Sequence, residues 1–527
     1  MRRAFIALVS AISVFLSPSL TIASENGPSP GNGMILTPRP GPTPRLNGPS
    51  VFGVRPGSPV LYTIPATGER PIAFSADNLP PGLALDASNG FITGTLKEKG
   101  EYRLTLHATN RLGSARKAFR IIVGDTIALT PPMGWNSWNC WGASVSQEKV
   151  LSSARALVEK GLRDHGWSYI NIDDGWQGKR GGVFNGIQAN PKFPDISELA
   201  DDIHRMGLRF GIYSTPWNVT YAGHIGSYAD HEDGSYTWIS SGQHNENFKI
   251  NRNGNKPDDV GKKEEIDGSH SFVLNDVSQW AAWGVDFLKY DWHVIDVPRV
   301  KEMHDALAAA SRDIVYSLSN SAPVEEAANF ARYSNLWRTT GDIEDSWKSM
   351  STIGFNQDQW APYSGPGHWN DPDMLIVGHV GWGNPHPTTL TPDEQYTHIS
   401  LWSLLAAPLL IGCDLSALDD FTLSLLTNDE VIEVNQDPLG KQGICVAKDG
   451  DLRVYVKPLE DGSLAVGLFN LGAQNAEVTA SWADLKISGR QRVRNLWTQK
   501  DIGTYEDSFR SSVASHGVVF LRLFPEE

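Results

Sequence analysis

A chain of 527 residues exceeds one ordinary domain, and a formal net charge of -15 with a pI near 5.4 excludes the clustered basic surface that nucleic acids and anionic membranes require. The 18 tryptophans supply flat apolar faces of the kind that stack on sugar rings, although tryptophan is also ordinary core material. Cys140, Cys413 and Cys445 are too few and too odd in number for a disulfide framework, and no His or Cys spacing suits zinc, so no structural metal and at most one disulfide are expected.

Met1-Arg2-Arg3, the apolar run from Ala4 to Leu16 and the small residues up to Ala23 have the layout of a secretory signal over residues 1–23. The expectation is export to the periplasm or the medium. The run is shorter than the roughly 20 residues needed to cross a bilayer, and no later segment approaches that length, so the mature chain should hold no membrane span. Residues 24–49, rich in Pro, Gly, Ser and Asn, read as a linker. Over 50–124, Tyr102, Leu104, Leu106 and Ala108 alternate with polar residues, as do Phe119, Ile121 and Val123, and Asn89-Gly90 marks a tight turn. These signals predict a small β-sandwich. Leu79-Pro80-Pro81-Gly82-Leu83 and Gly90-Phe91-Ile92-Thr93-Gly94 resemble an immunoglobulin-like module carried by secreted bacterial enzymes, for which glycan binding and a spacer role are both open.

Residues 125–430 repeat strand, loop, helix. A helix is expected from Ser144 to Lys160, capped by Ser144 with Gln147, its stripe formed by Val150, Leu151, Ala154, Leu157 and Val158. Tyr169-Ile170-Asn171-Ile172 follows as a strand ending in Asp173-Asp174, and a second helix through Leu199, Ile203 and Met206 stops at Gly207. Strands are then expected at Phe210–Tyr213, at Phe287-Leu288-Lys289-Tyr290-Asp291 after a helix near Val277–Trp283, and at Ile314–Ser319, Leu336–Thr340, Trp369–Asp373 and Leu409–Gly412. Counted with the run before Trp138, they make eight. This alternation predicts a (β/α)8 barrel, with an open doubly wound sheet as the alternative; no Gly-x-Gly-x-x-Gly turn follows the first strand. Over 431–527, alternation at Leu452, Val454 and Val456, at Leu464, Val466 and Leu468, and at Val519, Leu521 and Leu523 predicts an antiparallel β domain.

Chemistry in such barrels collects at the C-terminal strand ends, which here carry Trp138, Asp173 with Asp174, Tyr213, Lys289 with Asp291, Ser319, Arg338 with Asp342, Asp373, and Asp414. Several carboxylates, two cations and aromatic walls, without phosphate-binding glycines, suit a neutral polyhydroxylated ligand. Lys289 should keep Asp291 ionised as a nucleophile, and Asp342, in a glycine-containing loop, is placed to protonate a leaving oxygen. Asp342 could instead clamp its loop on Arg338, with Glu344 and Asp345 competing for the acid role.

Six stretches in order resemble the melibiase family of glycoside hydrolases (family 27, α-galactosidases and α-N-acetylgalactosaminidases): Pro131-Pro132-Met133-Gly134-Trp135-Asn136-Ser137-Trp138, Asn171-Ile172-Asp173-Asp174-Gly175-Trp176, Leu288-Lys289-Tyr290-Asp291, Trp337-Arg338-Thr339-Thr340-Gly341-Asp342-Ile343, Trp369-Asn370-Asp371-Pro372-Asp373-Met374-Leu375 and Asn435-Gln436-Asp437-Pro438-Leu439-Gly440. The resemblance implies a retaining, cofactor-free double displacement with Asp291 as nucleophile and Asp342 as acid/base. It implies that Asp173 and Asp174 hold the C4 and C6 hydroxyls, that Trp138 forms a wall, and that Tyr213, Lys289, Ser319, Arg338 and Asp373 contact the sugar. Two family cysteines are replaced here by His293 and Gly175, and the loop that reads C2, Ser317-Leu318-Ser319-Asn320-Ser321-Ala322-Pro323, carries small residues of the acetamide-accepting kind. The expected function is an exo-acting α-galactosidase with an α-galactoside oligosaccharide or polysaccharide as substrate. An α-N-acetylgalactosaminidase or β-L-arabinopyranosidase of the same family, or a non-catalytic glycan-binding protein, are the alternatives.

Overall fold

The computed structural model describes residues 34–237 and 266–526. The expected signal peptide and the first part of the expected linker lie outside the described residues. Eight parallel strands form the central sheet: β1 (Met133–Asn136), β2 (Tyr169–Asn171), β3 (Arg209–Ser214), β4 (Phe287–Asp291), β5 (Val315–Ser319), β6 (Leu336–Arg338), β7 (Trp369–Asp371) and β8 (Leu409–Ile411). Neighbours pair in sequence order from β1 to β7, and β8 pairs with β1. Leu375, just past β7, closes the ring by donating its N–H to Leu410 O at 2.8 Å and accepting from Gly412 N–H at 3.0 Å. The closed (β/α)8 barrel is therefore the architecture, and the open sheet is excluded.

The strand period of two divides each strand between lumen and helical shell. On β4, Leu288 and Tyr290 belong to the large core under the helices, whereas Phe287 joins Tyr169, Val315, Leu336, Trp369 and Leu410 in a separate apolar cluster inside the barrel. Phe287 fills the lumen near the strand starts, so Lys289 and Asp291, two and four residues on, face the same lumen nearer its C-terminal mouth. An apolar plug thus closes the floor beneath the charged mouth.

Helix α1 (Gln147–Glu159) is capped by Ser146, whose Oγ accepts from Lys149 N–H, and not by Ser144 as expected. Ser146 alone stands three residues before that donor, and Gln147 is the first helical residue instead of the third. Helix α2 (Ile196–Arg205) ends at Met206, with Gly207 at φ +74. Helix α3 (Val273–Trp283) begins one turn earlier than expected. Helix α4 (Pro392–Leu404) has a capping box between Thr391 and Glu394 and is buried along almost its whole length, because the C-terminal domain covers the side that the barrel leaves open. That domain is an antiparallel six-stranded sheet faced by a two-stranded ribbon over its own apolar core, seated through Trp497 Nε1–H to Ser400 Oγ at 2.9 Å and Thr397 Oγ1–H to His516 O at 2.7 Å.

The N-terminal module packs a four-stranded and a three-stranded sheet, and Asn89-Gly90 does turn the chain, the Gly90 N–H reaching Asp86 O at 2.8 Å. The module sits against the barrel's floor. Arg55 donates from Nε to Asp313 Oδ1 at 2.6 Å, Arg209 Nη2 donates to Leu61 O at 3.0 Å, and Thr63 Oγ1 donates to Gly207 O at 2.7 Å. A cavity of about 490 Å³ lies in this junction, lined among others by Phe52, Tyr62, Met133, Tyr169, Arg209 and Val315. Because these include strand starts, the cavity is at the end of the barrel opposite the charged mouth. Residues 34–49 do not hang free as a linker: Thr37 Oγ1 donates to Ser424 O at 2.6 Å, Arg45 pairs with Glu433 at 2.7 Å, and Arg45–Leu46 pairs as a strand with Ala66–Thr67.

Candidate active site

The paired aspartates follow β2. Ser137 Oγ accepts the Asp173 N–H at 3.0 Å, and Asp173 Oδ1 accepts the Asp174 N–H at 2.8 Å, so the two carboxyls are splayed from one turn. Asp173 Oδ2 takes the Lys289 Nζ at 2.8 Å, both groups being buried. Burial alone would lower the Lys289 ammonium, but Asp173 and Asp291 outweigh it and hold its pKa above the ordinary range. Asp174 Oδ2 accepts the Ala222 N–H at 2.7 Å, while Oδ1 is buried without a protein partner. Burial pushes Asp174 up to about 7, opposed by the Ala222 and Thr220 hydrogen bonds and reinforced by the charges of Asp173 and Asp291.

Asp291 ends β4 beside Ser319 of β5, its Cα partner across the ladder. Tyr213 donates its hydroxyl to Asp291 Oδ2 at 3.0 Å, and Oδ1 is left without a partner, as is the buried Ser319 Oγ. The expectation that Lys289 holds Asp291 ionised is corrected by the geometry. The ammonium is spent directly on Asp173, and burial pushes Asp291 up to about 7, with Lys289 and Tyr213 opposing and Asp342 and Asp173 adding to the rise. The carboxyl is thus poised near neutrality.

Arg338 ends β6 and bridges two carboxylates: Nη2 lies 2.8 Å from Asp373 Oδ2 and 3.1 Å from Asp342 Oδ1. Asp373 and Arg338 are buried, but the Asp342 side chain is 63% exposed at the mouth, so the arginine orients Asp342 without enclosing it. Asp345 is occupied elsewhere: its carboxylate accepts Thr388 Oγ1–H at 2.6 Å and Thr389 N–H at 2.9 Å, which ties the Asp342 loop to the loop after β7. Asp373 sits at φ +85, a costly conformation for a residue with a Cβ. It is held by its N–H to Asp371 Oδ1 and by its Oδ2 accepting the Ile343 N–H, each at 2.8 Å.

Ten of the eleven strand-end residues singled out from the sequence lie at the C-terminal mouth or its wall. Trp138 opens a short helix at the end of β1 and packs half-buried against the cluster in the lumen. Asp414 turns aside, its Oδ1 accepting from the N–H and hydroxyl of Ser416. Sequence reasoning missed two groups, Asp371, which is buried, and Tyr221, which is half-buried. Asp371 lies on β7 in the lumen register two residues before Asp373, a spacing that was there to be read, and burial pushes it up to about 6 against the pull of Arg338. Tyr221 lies in an aperiodic loop after β3 that carries no such signal. Among the described residues no cluster of three His, Cys, Asp or Glu side chains has the geometry of a metal site.

The melibiase model described as alpha galactosidase A matches residues 130–253 and 254–437, the alpha galactosidase C-terminal beta sandwich domain matches 449–523, and an Ig domain of the He_PIG type matches 43–124. Alpha-galactosidase 2 of Arabidopsis thaliana is 36% identical over 405 residues, covering 75% of this chain and 90% of the plant protein. Alpha-N-acetylgalactosaminidase of Gallus gallus is 30% identical, covering 76% of this chain and 95% of its own. The crystal structure of a candidate alpha-galactosidase/melibiase from Bacteroides fragilis superposes with a TM-score of 0.78 at 33% identity, covering 92% of this chain and 98% of that one. With its barrel, its C-terminal sheet and the ordered carboxylates of the mouth all accounted for, the chain belongs to the melibiase family of glycoside hydrolases.

Proposed function

We propose that the protein is an exo-acting, retaining α-galactosidase. The observation that carries this reading is the pairing of a buried carboxyl raised to about 7, Asp291, with an exposed carboxyl aimed by Arg338, Asp342, in a mouth whose two cations are each paired with a carboxylate. In the first step Asp291 attacks the anomeric carbon, and Asp342 gives its proton to the departing oxygen. In the second, Asp342 takes a proton from water, which displaces Asp291 and releases galactose with its configuration retained. Tyr213 holds the nucleophile, Lys289 and Asp173 form a neutral pair facing the ring hydroxyls, and the unpartnered Asp174 Oδ1 is available to a hydroxyl at C4 or C6.

The first experiment is hydrolysis of aryl α-galactoside, α-N-acetylgalactosaminide and β-L-arabinopyranoside side by side, with the first-formed anomer followed by proton NMR. Preference for the galactoside with α-galactose appearing first is expected. Preference for the acetamido sugar would favour the second reading, for which the small, unpartnered Ser319 beside the nucleophile is the supporting observation. Asp291→Asn should lower kcat by about a thousandfold or more while galactose still binds; unchanged turnover would favour a carbohydrate-binding protein. Export rests on the basic and apolar N-terminus, and N-terminal sequencing of the mature protein tests it.

A further inference from the structure

In the C-terminal domain a turn over residues 514–517 joins the ribbon strand Ser508–Val513 to the last strand of the sheet, Val518–Pro525. His516 stands in that turn at φ +57, left-handed backbone that is uncommon for a residue with a Cβ. Contacts to the catalytic barrel hold it there. Its carbonyl accepts from Thr397 Oγ1 at 2.7 Å, its Nδ1 lies 2.7 Å from Glu394 Oε1, and its ring stacks on Trp347 with centroids 4.1 Å apart and planes 10° from parallel.

Both side-chain partners belong to the supports of Asp342. That carboxylate is largely exposed and meets Arg338 at 3.1 Å, so where it stands depends on its loop. Trp347 opens the helix Trp347–Gly354, five residues past Asp342, and the chain between them is pinned throughout: Ile343 N–H donates to Asp373 Oδ2 at 2.8 Å, Glu344 N–H to Ser349 Oγ at 2.9 Å, and Ser349 N–H to Ser346 Oγ at 3.2 Å. Glu394 closes the other side. Its Oε2 accepts the Thr391 N–H at 2.8 Å, two residues past Thr389, whose Oγ1 donates to Asp345 O at 2.6 Å. One imidazole thus grips the far end of the Asp342 loop and also the segment to which that loop is tied. Resting on the retaining α-galactosidase reading, we infer that His516 is a positioning residue for the general acid. Through it the C-terminal domain fixes Asp342 against the leaving oxygen, whereas Asp291 is held within the barrel by Tyr213.

A proton from the acid matters most where the leaving group is poor. The test is therefore kcat/KM, which reports the steps up to departure of the aglycone, for phenyl α-galactoside and 2,4-dinitrophenyl α-galactoside in the wild type, His516→Ala and His516→Phe. Dinitrophenolate departs without a proton, and phenol needs one. His516→Ala should lower kcat/KM about tenfold for the phenyl substrate and less than about twofold for the dinitrophenyl one. His516→Phe returns a flat ring to Trp347 and should recover most of the loss. Equal losses on both substrates, or none on either, overturn the inference, since a merely structural histidine would lower both alike. Should His516→Ala fail to fold, His516→Gln, which keeps a donor for Glu394 and removes the stacked ring, is read in its place by the same comparison. If the wild type hydrolyses neither galactoside, the α-galactosidase reading fails by itself, and the hold of His516 on the loop is judged without turnover. Hydrogen–deuterium exchange over residues 342–349 should then quicken in the variant while exchange in β4 stays as in the wild type. Exchange that is unchanged over 342–349, or quickened equally in β4, overturns the inference.

Discussion

Asp174 and Asp291 show what the site costs the fold. Burial pushes both carboxyls up to about 7 in the folded protein, against ordinary carboxyl values in the unfolded chain. Between those limits the folded state binds more protons than the unfolded one. The protonated pair is fully accommodated below about pH 4, and that advantage is lost as the pH rises through about 7. At pH 8 both carboxylates are held ionised and buried beside each other. Asp174→Asn and Asp291→Asn should each raise the melting temperature at pH 8 by about 1–3 °C and leave it nearly unchanged at pH 4, as thermal unfolding at the two pH values would show. The same titration governs turnover, because the nucleophile must be ionised. kcat/KM for the free enzyme should fall tenfold per unit on the acid side, with a midpoint displaced above the ordinary carboxylate range toward about 7, measured across a pH series with an aryl galactoside.

Loops set the second carboxylate. Asp342 is aimed by Arg338, but its loop is fastened by Asp345 to Thr388 and Thr389 and by Asp373 to Ile343. Asp345→Ala leaves the reacting groups in place and frees their support. It should lower kcat by about tenfold with little change in KM, read from steady-state kinetics, because a loosened acid is misplaced only in the transition state. This dependence was invisible in the sequence, where Asp345 reads only as another acid near the site. The strands were legible because their apolar alternation has a period that burial on two faces imposes, and the motif at each strand end then pointed into the mouth. What could not be read were contacts across elements, above all that Lys289 pairs with Asp173 and not with Asp291. The misplaced cap of α1 has a local cause. Ser144 and Ser146 are both capping residues, and only the fold determines which one precedes the first helical turn.

For the molecule as a whole, the N-terminal module behaves as part of the barrel. Gly207, just past α2, is the clearest point of contact: a Cβ there would lie 2.4 Å from the Phe91 ring and 2.5 Å from Thr63 Oγ1, on a backbone at φ +74. Gly207→Ala should therefore cost about 1–3 kcal/mol in thermal or denaturant unfolding, more than the loss of a left-handed cap alone. The segment before the module has its own consequence. Thr37 is fixed to Ser424, and Ile35 to Tyr396 on α4, the helix clasped between barrel and C-terminal sheet. A pull applied at the N-terminal side of Ile35 is thus taken up in shear by these fastenings, and through α4 by the catalytic body, before any tension reaches the module. Tethered by that end to a surface, the module would not act as a spring or a hinge: the load path bypasses it, and the mouth of the barrel keeps a fixed attitude to whatever holds the chain.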